Sequence, residues 1–291
     1  MQSALVITQT NGGWQFRPAP DLPVAALLIG KPVEEAATLL PRLFNLCSGA
    51  QATALRLALG LPAPDPVTLR TEILRDHLLK LCVLWPGFLG LPTTPLPPNW
   101  ADPAPLRHLI WGDADPQDFD LWLASGHGVA PVIAAIARSF APGEATATLP
   151  LVTAETGLHS TAQENSVAAR HASAPAMRAI EVSHGRGPYW RAAGLIHDIA
   201  NLLNAAPEVQ MHLTTAIAPA ARGAYAVQAR ALNGKVTDFA RRTPTDHLCA
   251  PGGALQQSLN SLTAAKAHLL PLLIDILAPC VPVQLPEVQH A

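Results

Sequence analysis

Charge is scarce in this chain. Asp, Glu, Lys and Arg together make up 14% of its 291 residues, the formal net charge is -2, and the basic residues are scattered. That pattern argues against a nucleic-acid footprint or a polybasic membrane patch. Aromatic residues are few, at 5%. Long apolar runs are missing too: "AHLLPLLIDILAP" is interrupted by Pro271 and Asp275 and falls short of the ~20 residues of a spanning helix. The N-terminal stretch MQSALVITQTNGGWQFRP has neither a basic region nor a long apolar core, so it does not read as a signal peptide. There is no Gly-rich dinucleotide motif after a strand, no phosphate loop and no GxSxG. Cysteine is limited to Cys47, Cys82, Cys249 and Cys280, none of them at CxxC spacing. A disulfide framework is therefore not expected, and the four read as thiols of a soluble, cytoplasmic protein.

Apolar residues, at 49%, are abundant enough for a sizeable core, which excludes a polar disordered chain. The 29 prolines suggest short helices with stiff connections. Residues 4–17 pair a β-rich run with Asn-Gly-Gly and an alternating run, a hairpin pattern. Helical spacing of apolar residues runs from Val33 to Leu59, and again from Thr68 to Leu84, where Pro86-Gly87 ends it. Residues 91–117 are Pro-rich and read as irregular. Asp118–Phe140 is helical with a break at Gly126–Gly128, Trp190–Leu203 is helical, and residues 141–175 carry no clear pattern. Ala216–Arg242 reads as two strands about "LNGKV", and Leu255–Leu277 as helix. The expected fold is mainly α with small β elements, an α+β arrangement in one domain over residues 1–291.

Cys47 lies in "RLFNLCSGAQ", in an apolar run. An unpaired cysteine in such a setting is ordinarily a small buried hydrophobe. Placed beside the N-terminal motif RxCGxCxxxH of [NiFe] hydrogenase large subunits, the stretch takes on another meaning. Arg42 matches the arginine, Phe44 stands at the first cysteine, Cys47 at the second, and Gln51 replaces the histidine. "LRTEILRDHLLKL" is similar to the helix that follows in large subunits. "AARGAYAVQARALNGKVTDFARRTPTDH", residues 220–247, resembles the family's APRG strand, its turn and its P[ST]xWN block. "LIDILAPCVPVQ" resembles the C-terminal DPCxxC, with Cys280 on the first cysteine and Val283 in place of the second. A shortened large-subunit-like chain with half its metal cysteines gone resembles the HupK/HoxV-type hydrogenase maturation proteins. The likeness covers most of the chain, closely over 33–84 and 219–283.

The resemblance implies a reduced large-subunit-like helical core that cannot build the binuclear site, because two of four thiolates are missing. No hydrogen oxidation, no other catalysis and no nickel are expected. It implies instead a scaffold or chaperone that holds the Fe(CN)2CO moiety during [NiFe] hydrogenase assembly. Cys47 and Cys280 would be the iron ligands, and Arg222 and Thr245 would donate hydrogen bonds to the cyanides. The implied partners are the hydrogenase maturation chaperone, the iron-assembly proteins and the large-subunit precursor. A metal-free binding module that shields or mimics the immature large subunit is the alternative. Cys82 and Cys249 match no ligand position: Cys82 reads as packing, and Cys249 follows the P[ST]xWN-like block closely enough to be no more than a reserve ligand. The pairs Asp76-His77 and His197-Asp198 invite a metal-hydrolase reading, but without further spaced histidines they fit core or surface residues better. Glu181, His184 and Arg186 form a polar loop cluster with no assigned chemistry.

Overall fold

The computed structural model describes residues 4–10, 13–20, 22–44, 46–114 and 118–286. Strands β1 (Leu5–Thr10) and β2 (Gly13–Arg17) form the expected hairpin, Val6 opposite Arg17, while its turn residues Asn11 and Gly12 lie outside the described residues. The other edge of β1 takes the short strand β7 (Val283–Gln284) in parallel, Leu5 opposite Val283. The two ends of the described chain thus meet in one three-stranded sheet.

Between them lie α1 (Val24–Leu28), α2 (Val33–Leu39), α3 (Ser48–Ala58), α4 (Pro66–Leu79), α5 (Trp85–Leu89), α6 (Pro103–Trp111), α7 (Phe119–Ser125) and α8 (Ala130–Ser139). These are followed by α9 (Pro175–His184), α10 (Pro188–Asn204), α11 (Pro244–Leu248), α12 (Ala254–Ser261) and α13 (Leu270–Leu277). Strands β3 (Gln210–His212), β4 (Thr215–Ala220), β5 (Gly223–Leu232) and β6 (Lys235–Arg242) make an antiparallel sheet in sequence order. The mainly helical reading with small sheets agrees with this architecture.

Several local expectations need correction. The helical spacing over 33–59 does not become one helix. Pro41 has no N–H to continue α2, so the chain tightens into a 3-10 turn at Leu40–Leu43, then extends at Phe44. Within the Pro-rich 91–117 segment, Pro103 sits at the first helical position and starts α6 rather than preventing it. The 216–242 stretch holds three strands, because the short turn before Gly223 reverses the chain once more than the reading allowed. Gly223 has φ +146, and a Cβ there would lie 2.1 Å from the Asn165 carbonyl, so this reversal needs glycine.

Helix α10 is buried almost all round from Pro188 to Ile199 and is the axis of the core. Its Gly194 lets the Ala168 backbone approach to where a Cβ would be, at 2.5 Å. A continuous buried cluster runs from Leu5 to Leu277, including Trp85, Trp111, Trp122 and Trp190. Cys82 is in it, fully buried, and burial pushes its thiol up to about 11. Among the described residues no single helix is long and apolar enough to cross a membrane.

Candidate metal-holding site

Cys47 sits where the extended chain after Leu43 turns into α3, with left-handed backbone angles (φ 56, ψ 30). That conformation costs a non-glycine residue ~1–3 kcal/mol and persists only where surrounding contacts impose it. Here they come from Glu72 on α4. Its carboxylate accepts from Gly49 N at 2.8 Å, Ala50 N at 3.4 Å and Ser48 Oγ at 3.1 Å, capping α3 from outside. The Cys47 side chain, at the cap position itself, makes no capping bond. Behind it, Gln51 donates to the Leu46 carbonyl and accepts from Tyr225 on β5.

Cys280 follows the end of α13. Ala278 is left-handed there (φ 56, ψ 55), and Pro279 then directs the chain outward. The backbone is gripped on both sides: Cys280 N donates to Thr245 Oγ1 at 2.7 Å, and Arg222 donates to the Pro279 carbonyl. Thr245 is held by the reciprocal cap of α11, in which Thr243 and Asp246 bond each other's backbone N–H. Arg222 projects from the turn between β4 and β5 and also pairs with Asp76 Oδ1 of α4 at 3.2 Å.

These contacts bring Cys47 and Cys280 together, close enough for each thiol to shift the ionisation of the other. The two thiols are shifted in opposite directions. The neighbouring Cys280 side chain, then burial, then the negative charges of Cys280 and Glu72 push Cys47 well up. The neighbouring Cys47 side chain, opposed by burial and reinforced by the Arg222 charge and the Thr245 hydroxyl, draws Cys280 down to about 7. Cys47 is thus the harder and Cys280 the easier thiol of the pair to ionise. Thiolates are the reactive, metal-binding form.

Two buried polar atoms beside the pair have no hydrogen-bond partner: Arg222 Nε, a donor, and Asp76 Oδ2, an acceptor. Lys80 Nζ is 3.7 Å from that oxygen, beyond hydrogen-bond reach, and donates instead to the Asp275 carbonyl at 3.1 Å. Lys80 opens the widened π-turn Lys80–Leu84, and Trp85 at its end donates to Asp275 Oδ1 at 2.6 Å. Such π-turns recur at functional sites. A cavity of about 350 Å³ reaches the cluster, lined by Arg222, Lys80, Asp275, Phe88, Val281 and Val283.

All four residues singled out from the sequence therefore meet. Cys249 lies within electrostatic reach of Cys280, and burial, with Asp246 and Cys280 adding, pushes its thiol up to about 12. Phe44 and Val283, which stand at the missing cysteines, have packing roles: Arg241 lies 4.6 Å over the Phe44 ring, and Val283 is strand-paired to Leu5. Among the described residues no group of three or more His, Cys, Asp or Glu is arranged to hold a metal. Sequence reasoning missed Glu72, Asp76 and Lys80. Their signal was available: they recur every fourth residue, so they form one charged stripe on a helix that is otherwise largely apolar on its buried side. Asp76-His77 drew a metal-hydrolase reading, whereas Asp76 faces Arg222 and His77 turns away to Asp198.

No family model matches the chain. Among curated proteins, it is 54% identical over 276 residues to the "Hydrogenase expression/formation protein HupK" of Rhodobacter capsulatus, spanning 94% of this chain and 93% of that one. The chain belongs to the HupK family. A 92-residue stretch is also 39% identical to the "Hydrogenase expression/formation protein HoxV" of Cupriavidus necator, covering 29% of this chain and 24% of that one. This HupK-family chain thus carries its four candidate residues in one cluster, Cys47 buried and Arg222, Thr245 and Cys280 half-buried.

Proposed function

We propose that this protein acts in hydrogenase formation, as the names of its relatives state of them, and that its part is to hold the Fe(CN)2CO moiety as cargo. The observation that carries this reading is the neighbouring Cys47–Cys280 pair set against an arginine whose Nε has no partner. Soft thiolates suit low-spin iron. A dithiolate with two cyanides is anionic, and a buried anion without compensation is costly. Arg222 supplies a fixed planar fork of donors, and Lys80 a second cation behind it. In this reading the Arg222 Nε–H and the Thr245 hydroxyl are the donors to cyanide. Loading then displaces thiol protons, as metal binding to thiols does. The protein performs no turnover of its own. Its partners are the maturation chaperone and iron-assembly proteins that deliver the cargo, and the large-subunit precursor that receives it, all in the cytoplasm.

The test is the iron content of protein purified without oxygen from a host that carries the maturation genes. Wild-type protein is expected to retain iron, and Cys47→Ala and Cys280→Ala to retain none while melting close to wild type. Iron retained equally by both variants would defeat the reading and favour the metal-free binding module.

A further inference from the structure

Asp198 is buried in α10, away from the thiol pair, and gathers four hydrogen bonds. Arg170 reaches both of its oxygens, at 3.1 and 2.8 Å. His171 bonds Oδ1 at 2.7 Å, and His77 bonds Oδ2 at 2.9 Å. Each contact leads to the site by a short route. His77 is the neighbour of Asp76 on α4. Arg170 uses its remaining nitrogen on the carbonyls of Ala220, at 3.0 Å, and Gly223, at 2.6 Å, which bracket Arg222 in the β4–β5 turn. The same turn is fixed from its other side by Asn165, which accepts from Ala224 N at 2.7 Å and donates to its carbonyl at 3.0 Å. Arg222 and Asp76 pair with each other; Asp76 stands next to His77, which bonds Asp198 directly, and Arg222 stands next to Gly223, whose carbonyl is held by Arg170 on the same carboxylate.

From this we infer that Asp198 is a positioning residue for the site: through Arg170 and His77 it sets where the Arg222 guanidinium and the Asp76 carboxylate stand relative to Cys47 and Cys280. A guanidinium fork discriminates by direction as well as charge, so a small rotation of the turn misdirects Nε even though the charge remains. The buried network also links the two His/Asp pairs: His77 of the first bonds Asp198 of the second, while Asp76 faces Arg222 and His197 stacks on Phe119 and His171. Burial opposes ionisation of Asp198, but Arg170, then His171 and His77, hold its carboxyl well below the usual range, so it remains an anion at neutral pH. The consequence for the cargo rests on the holder reading above. The placement of Arg222 does not.

The experiment uses full-length Asp198→Asn and Arg170→Lys. Arg170→Lys keeps the charge but cannot bond Asp198 and both carbonyls, and its partly exposed side chain makes folding less dependent on it. In metal-free protein, the Nε–Hε resonance of Arg222, assigned by its loss in Arg222→Lys, is expected to move by more than a linewidth and weaken in both variants. In protein purified with the maturation genes, the cyanide stretching bands are expected to shift in Arg170→Lys while its melting temperature stays near wild type. An Arg222 resonance at the wild-type position in Arg170→Lys would overturn the inference, whether or not Asp198→Asn folds. If wild-type protein shows no cyanide bands, the holder reading fails by itself, and the Arg222 resonance still decides the positioning role.

Discussion

Asp76 and Asp198 are two carboxylates in adjoining parts of one core, and they are treated in opposite ways. Asp198, with a side chain 4% exposed, has every bond it needs, from one arginine and two histidines. Asp76, at 15%, has one bond from Arg222 and an oxygen with none. A fully satisfied buried network rigidifies a fold, whereas a partly satisfied one costs stability. Asp76 Oδ2 and Arg222 Nε carry that cost beside Cys47 and Cys280, where the backbone is also left-handed at Cys47 and Ala278. Unmet polar groups also occur elsewhere, as at His77 Nδ1, Trp122 Nε1 and Trp190 Nε1; what distinguishes the Asp76 end is that they stand beside two cysteines.

The sharpest way to break this comparison is to remove each carboxylate in turn. Asp198→Leu leaves His77, His171 and Arg170 without their shared partner and is expected to cost ~3–5 kcal/mol in urea denaturation, the penalty for breaking a buried charge pair. Asp76→Asn is expected to cost less, ~1–3 kcal/mol, because its pair with Arg222 is partly open to solvent and asparagine can still accept from Arg222. The reverse order would dissolve the distinction. Acid sharpens it further. The native Asp198 carboxyl lies below its unfolded value, so its contribution is fully present above about pH 4 and is lost as pH falls through the native value. Asp198→Asn should therefore flatten the loss of stability below about pH 4, and Asp76→Asn should flatten it less.

A smaller effect is expected at Thr245. Thr245→Val removes the acceptor of the Cys280 N–H at nearly constant shape and should cost ~1–3 kcal/mol of unfolding free energy, the penalty of a buried donor left unpaired. Indistinguishable urea curves would show that the Cys280 segment is held without it. The most local effect is at the thiols. Iodoacetamide labelling read by mass spectrometry should rise at Cys280 through about pH 7, while Cys82, raised to about 11 and fully buried, stays unlabelled at pH 8. Equal labelling of the two would contradict the environments described for them.

Much of the site was legible in the sequence because its residues sit in local patterns that survive shortening of the chain. "LFNLCSGAQ", "AARGAY", "PTDH" and "LAPC" each place one of Cys47, Arg222, Thr245 and Cys280. The supporting charges were not legible by the same means. Glu72, Asp76 and Lys80 lie in a helix whose apolar spacing dominates the reading, and their partners are 22 to 195 residues away along the chain. The fold was legible where proline and glycine act locally, as in the α7–α8 break and the Asn233-Gly234 turn. It was misread where proline has two meanings: Pro41 ends a helix and Pro103 starts one. The pairing of β7 with β1 depends on contacts between chain ends, which no local pattern encodes.

The central claim is that the Cys47–Cys280 pair holds an iron carrying cyanide and carbon monoxide. The most direct measurement is an infrared spectrum of the wild-type protein, purified without oxygen from a host with the maturation genes, beside that of Cys47→Ala. The account predicts one carbonyl band and two cyanide bands in the wild type, all absent from Cys47→Ala. A wild-type spectrum without these bands, or bands that persist unchanged in Cys47→Ala, would contradict it.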